Sequence, residues 1–126
     1  MEEQSTSYTA GGNKFWYLPS KGINHQHRLD GPASEYASGS KHWFKDNKRH
    51  RLDGPAIEYP DGIKEWYVDG KHHRLDGAAI EYPGGIKLWY VEGKRLPHKE
   101  VEKWIEENSI DLSTEEDQMA FKLRWL

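Results

Sequence analysis

Between His27 and Arg95 the apolar and polar positions recur with a period of 23. Copies begin at His27, His50 and His73, and each opens His-Arg-Leu-Asp-Gly. The second and third copies agree at 18 of 23 positions, the first and second at 14 of 23. A fixed period of this length marks stacked supersecondary units. In the second copy, Ala56–Tyr59 and Ile63–Val68 are rich in β-branched and aromatic residues, which predicts two strands. Pro60-Asp61-Gly62 between them predicts a three-residue hairpin, because Pro presets φ, Asp bonds its own backbone and Gly takes positive φ. Asp69-Gly70 supplies the return turn, and Leu52-Asp53-Gly54-Pro55 bends the chain into its next strand. The pattern predicts an antiparallel meander with roughly two strands per copy.

Pairing across the hairpin sets Tyr59 by Ile63, Glu58 by Lys64 and Ala56 near Trp66. One face then carries Ile57, Tyr59, Ile63 and Tyr67, and the other Trp66 and Val68 beside the Glu58–Lys64 pair. Ser34 and Ser40 replace Ile in the first copy, which predicts a wetter end there. Residues 8–26 read as a degenerate copy, since Tyr8–Tyr17 parallels Tyr36–Phe44 with one extra residue at the glycines. After Arg95 the period becomes helical. Pro97 fits a first turn, and Val101, Trp104 and Ile105 form an i, i+3, i+4 stripe up to about Glu107. Asn108-Ser109 breaks that helix, and Ser113-Thr114-Glu115-Glu116 reads as a capping box for a second. On the second helix Met119, Leu123 and Leu126 form a stripe, with Phe121 and Trp125 off it. The predicted fold is mainly β: a single-sheet antiparallel meander of 23-residue hairpin repeats over residues 1–95, with full copies 27–49, 50–72 and 73–95. Residues 96–126 form a helical hairpin covering the last strand, where an open sheet edge would invite aggregation.

Composition narrows the function classes. The hydrophobic fraction of 35 % suits a thin sheet with two wet faces better than a thick core. The absence of cysteine excludes disulfides and thiolate sites. No apolar run approaches the ~18 residues of a membrane span, and Met1-Glu2-Glu3-Gln4 lacks the basic and apolar regions of a signal peptide. These features predict a soluble cytoplasmic protein. Residues 27–95 carry twelve basic and eleven acidic side chains, residues 96–126 four and eight. No segment has the positive field that a duplex-DNA partner demands.

The repeat resembles the MORN repeat and the related bacterial repeats of YwqK antitoxin type. The resemblance rests on Gly54-x-Ala56-x-x-Tyr59-x-Asp61-Gly62, Trp66 and Gly70-Lys71, with their equivalents in the third copy, and covers about residues 8–95. The His-Arg-Leu-Asp-Gly-Pro-Ala opening also looks like repeats of small accessory proteins of tailed bacteriophages. These likenesses imply a β-hairpin repeat sheet, and the second implies a phage protein acting in the host cytoplasm.

Candidate chemistry concentrates at the copied opening. His27, His50 and His73 recur, but equivalent residues two strands apart lie roughly 9–10 Å from one another, so the three cannot share a metal. Arg28/Asp30, Arg51/Asp53 and Arg74/Asp76 read as ladder pairs, with phosphate binding as the functional alternative. Glu35, Glu58 and Glu81 read as cross-strand partners of Lys41, Lys64 and Lys87 rather than general acids. Trp16, Trp43, Trp66 and Trp89 read as a packing ladder, with base stacking as the alternative. No phosphate loop, nucleophile setting or acid pair marks an enzyme, and no cofactor or metal is predicted. The leading expectation is a non-enzymatic protein binder, an inhibitor of a host defence or toxin component if the phage likeness holds. Its expected binding residues are His27, Arg28, His50, Arg51, Trp66, His73, Arg74 and Trp89. A nucleotide-type ligand in the inter-repeat grooves and a self-assembling structural role, with a homo-oligomer, stay open beside it.

Overall fold

The computed structural model describes residues 2–126; the predicted β-repeat unit opens at Met1, which lies outside the described residues. The chain is mainly β and antiparallel. It starts with a hairpin of β1 (Thr6–Ala10) and β2 (Asn13–Tyr17). Each full copy then forms four short strands. They are β3 (Ser34–Glu35), β4 (Lys41–His42), β5 (Phe44–Lys45) and β6 (Lys48–Arg49) in the first copy. The second has β7 (Ile57–Glu58), β8 (Lys64–Glu65), β9 (Tyr67–Val68) and β10 (Lys71–His72). The third has β11 (Ile80–Glu81), β12 (Lys87–Leu88), β13 (Tyr90–Val91) and β14 (Lys94–Arg95). One eight-stranded meander runs β1-β2-β3-β4-β7-β8-β11-β12, while the other strands form two-stranded ribbons, β5–β6, β9–β10 and β13–β14.

The predicted strand Ile63–Val68 therefore divides at Trp66, and a copy holds four strands rather than two. The backbone explains the break. Trp66 donates its N–H to Ala79 of the next copy at 2.7 Å, while its carbonyl accepts from His73 at 3.1 Å. Trp43 and Trp16 do the same with Ala56 and His50, and with Ala33 and His27. Trp43 and Trp66 thus hand the chain from the long sheet to a ribbon, whereas Trp16 lies within β2 itself. The ribbons also stack on one another, since Gly70 donates to Arg49 and Gly93 to His72, each at 2.8 Å.

The turns follow the sequence chemistry. Tyr59 donates to Ile63 at 3.0 Å, Gly62 sits at φ 96°, and the Asp61 carboxylate accepts from the Ile63 amide at 3.1 Å. At the ribbon tips Asp69 and Gly70 both have positive φ (51° and 81°), the primed hairpin geometry that matches strand twist. The Glu58–Lys64 register is as predicted. The first copy is not a wet end: Ser34 is fully buried, its hydroxyl hydrogen-bonded to the Gln26 side chain.

The ribbons lie against the tyrosine face, burying Ile57 and Ile80. That face carries a row of rings from Tyr8 through Phe15, Tyr36 and His42 to Tyr59. Among them the second copy places Glu65, where its neighbours have His42 and Leu88. His72 Nε2 donates to the Glu65 carboxylate at 2.8 Å, and this bond holds the carboxyl below its ordinary range. The Tyr59 and Tyr67 hydroxyls face the same carboxylate; burial and its negative charge push Tyr67 up to about 12. Burial also pushes the His42 imidazole down, aided by Arg49.

Two helices close the end of the stack. α1 (His98–Glu107) buries Val101 and packs Trp104 and Ile105 against the last copy, as its stripe predicts. α2 (Glu115–Trp125) departs from prediction twice. Its cap is Thr114, which accepts from the Asp117 amide at 3.2 Å, one residue beyond the predicted box. Its buried face is Phe121 and Trp125, and the stripe of Met119, Leu123 and Leu126 stays outside. The two largest rings on the helix win the core because they fill the space over Trp89, with Phe121 edge-on to it at 5.8 Å.

Candidate functional site

On the face opposite the tyrosines, each copy's opening segment lies over the tryptophan of the copy before. The Arg28, Arg51 and Arg74 guanidiniums sit 3.8, 4.0 and 3.8 Å from the ring centres of Trp16, Trp43 and Trp66. Each is fixed by two further bonds, and Arg74 by a third, from Nη1 to Glu81 at 2.9 Å. Arg51 donates from Nε to Asp53 at 2.9 Å and from Nη1 to the Pro55 carbonyl at 3.0 Å, and Arg28 and Arg74 repeat the pattern. The ladder reading of the Arg/Asp pairs therefore describes these side chains, with a cation–π stack added.

The glycine of the motif serves the arginine. Gly54 has no positive φ; its use is space, because a Cβ there would stand 2.9 Å from Arg51 Cζ. Gly31 and Gly77 meet Arg28 and Arg74 at 2.8 Å in the same way. Gly54→Ala is therefore expected to lever Arg51 off Trp43 and lower stability by about 1–2 kcal/mol. Urea denaturation followed by tryptophan fluorescence checks this. Unchanged stability would show that the stack contributes nothing.

The histidines have a structural duty as well. His27, His50 and His73 each accept, at Nδ1, the amide of the first turn residue of their own ribbon: Asp46 at 2.9 Å, Asp69 at 3.0 Å and Glu92 at 2.9 Å. This use of the lone pair requires the proton on Nε2. Burial pushes His73 down from its ordinary value, and Lys122 adds to the effect. Among the described residues no three His, Asp or Glu side chains converge as a metal site requires.

The stack leaves a groove between successive copies. The first, of about 520 Å³, lies between the openings of copies one and two and is floored by Trp43. The second, of about 570 Å³, lies between copies two and three, floored by Trp66 and Val68, with Gln118 of α2 at its border. The structure thus brings Arg28, His50 and Arg51 to one groove and Arg51, Trp66, His73 and Arg74 to the next. His27 is buried at its turn. Trp89 joins neither groove: it is 6 % exposed, in a core with Val101, Phe121 and Trp125, and borders instead a cleft of about 470 Å³ between the last copy and α1.

One residue of the copied opening has no architectural duty in two of its three positions. Leu29 is 55 % exposed and Leu52 80 %, both on the rims of the grooves. Their equivalent Leu75 packs against the cluster that the helices close. Nothing in the chemistry of Leu29 and Leu52 marks them in the sequence, because a Leu side chain carries no reactive or ligating group. The available signal was an apolar residue copied in register beside a turn, where no strand or helix pattern needs it. Comparison with protein-family models, with curated proteins and with solved structures finds no match to this chain.

Proposed function

We propose that this chain is a non-enzymatic binding protein whose inter-repeat grooves engage a partner protein, with Leu29 and Leu52 as apolar anchors. The observation that supports it most is the fate of one side chain in three equivalent places. Leu75 is packed, whereas Leu29 and Leu52 stand in water on the rims of open grooves. A leucine held out by a rigid ladder offers a partner apolar area at little ordering cost. The Arg and Trp side chains between these leucines are types that concentrate binding energy at interface centres. On the likeness to phage accessory repeats, the partner is a host defence or toxin component, blocked or redirected in the host cytoplasm.

The test compares proteins retained from a bacterial lysate by the wild type and by a Leu29→Asp, Leu52→Asp double variant. Both leucines are exposed, so the variant is expected to fold normally while losing at least one specifically retained protein. Identical retained sets would sink the leucine anchors, and no specific retention would sink the reading itself.

A nucleotide-type ligand is the second reading, favoured by groove volumes of about 520 and 570 Å³ bordered by paired guanidiniums. Against it, each guanidinium already spends Nε and Nη1 on its own copy. A thermal-shift panel of nucleotides separates the two; a rise retained in the double-leucine variant would favour the ligand.

A further inference from the structure

The helix α2 carries apolar side chains on two opposite faces, and the fold uses one of them. Phe121 and Trp125 enter the core, while Met119, Leu123 and Leu126 stand 55 %, 70 % and 60 % exposed. Their spacing of four and then three residues is that of a heptad seam. A helix apolar on opposite sides is ordinarily covered on both. Here the outer face plays no part in ordering the helix, which is held by its inner rings and by the Thr114 cap. A partner therefore meets a preformed surface.

We propose that the cover is the same helix of a second copy, packed antiparallel about a twofold axis. The charges on the helix select this occupant. Its first turn carries Glu115, Glu116 and Asp117, its last Lys122 and Arg124. An identical helix laid antiparallel sets each acidic turn beside the other's basic turn and opposes the two helix dipoles. A parallel arrangement would set like on like. In the antiparallel register Met119 of each copy meets Leu123 of the other, and Leu126 closes each end. The contact is isologous and closes at two copies. Neither Leu29 nor Leu52 takes part, so this inference stands apart from the groove reading. The stripe is narrow beside the roughly 800 Å² per partner of a standard interface, so the dimer is a reversible one, with Kd on the order of 100 μM.

Sedimentation velocity from 10 μM to 1 mM tests it. The wild type is expected to pass from monomer to dimer over this range. Leu123→Lys, at an exposed position, is expected to weaken association at least tenfold with an unchanged circular dichroism spectrum. Charge exchange supplies a test that does not depend on the apolar seam. Glu116→Lys and Arg124→Glu should each weaken self-association, and an equimolar mixture should restore the dimer, because both charge pairs are then complementary. A wild type that stays monomeric at 1 mM overturns the proposal. So does a dimer unaffected by Leu123→Lys, a mixture no stronger than its components, or open-ended growth into large particles.

Discussion

Phe121→Ala is expected to destabilise the chain by about 3–5 kcal/mol, the range for truncating a fully buried aromatic side chain. Phe121 is 0 % exposed and sits between the sheet and the helices, 5.8 Å from Trp89 and 6.4 Å from Trp104 by ring centres. Its removal leaves a cavity among Trp89, Val101 and Trp125 that none of these rigid neighbours can fill. The repeats contact mainly their nearest neighbours, so the loss should be local before it is global. Helical circular dichroism is expected to fall at lower urea than the β signal, and Trp89 should become accessible to quenchers. A single transition displaced by less than 1 kcal/mol would mean that the helices are not a fastening for the stack. Phe121→Leu, which keeps most of the volume, should cost clearly less.

Glu65→Ala is expected to cost about 2–3 kcal/mol, the scale of losing hydrogen bonds to a charged group and leaving their partners unpaired. Its carboxylate is 16 % exposed and holds the 2.8 Å bond from His72 with two tyrosine hydroxyls facing it. Glu65→Leu, the residue type of the third copy at this position, should lose less, because an apolar side chain fills the site without a charge to satisfy. The same carboxylate gives a pH signature. Its folded pKa lies below the ordinary 4.5. Its contribution is therefore complete above that value and is lost as pH falls through the folded one. His42 and His73 titrate below their ordinary 6.5 in the folded chain. The unfolded chain then binds more protons as pH drops under 6.5, and stability falls there first. Denaturant midpoints from pH 7.5 to 3 should show both declines, and Glu65→Leu should shrink the second, leaving the part that belongs to Glu3 and Asp111, whose carboxyls are also held low by hydrogen bonds from Ser20 and Ser113. A flat profile between pH 7 and 5 would contradict the histidine part.

Turn chemistry and period carried most of the architecture into the sequence. Pro60-Asp61-Gly62 and Asp69-Gly70 each form the predicted reversal, and Val101, Trp104 and Ile105 face the sheet as their spacing requires. The division of Ile63–Val68 at Trp66 was not legible, because nothing in a β-rich run says that its middle residue pairs with two different layers. Nor was the buried face of α2. Two apolar stripes compete there, and the choice depends on the bare Trp89 that only the folded stack presents. At the groove, the residues whose chemistry stands out in the sequence are His50 and Arg51. In the folded chain their polar atoms are engaged by a turn amide, a carboxylate and a carbonyl. What is left over is Leu52, whose meaning comes from where its neighbours leave it.

The arginine stack also gives the array a direction. Every guanidinium reaches backward, from its own copy to the tryptophan of the preceding one. The leading end of any such stack accordingly always exposes one uncovered indole, and the trailing end none. Adding a copy would transfer that vacancy forward without removing it, so lengthening alone can never terminate the array. Here the vacancy is Trp89, and α1 and α2 fill it with carbon where each earlier tryptophan has a cation. A variant lacking residues 50–72 would keep every type of junction and still need the same stopper, whereas one lacking the stopper should recruit the trailing face of another molecule.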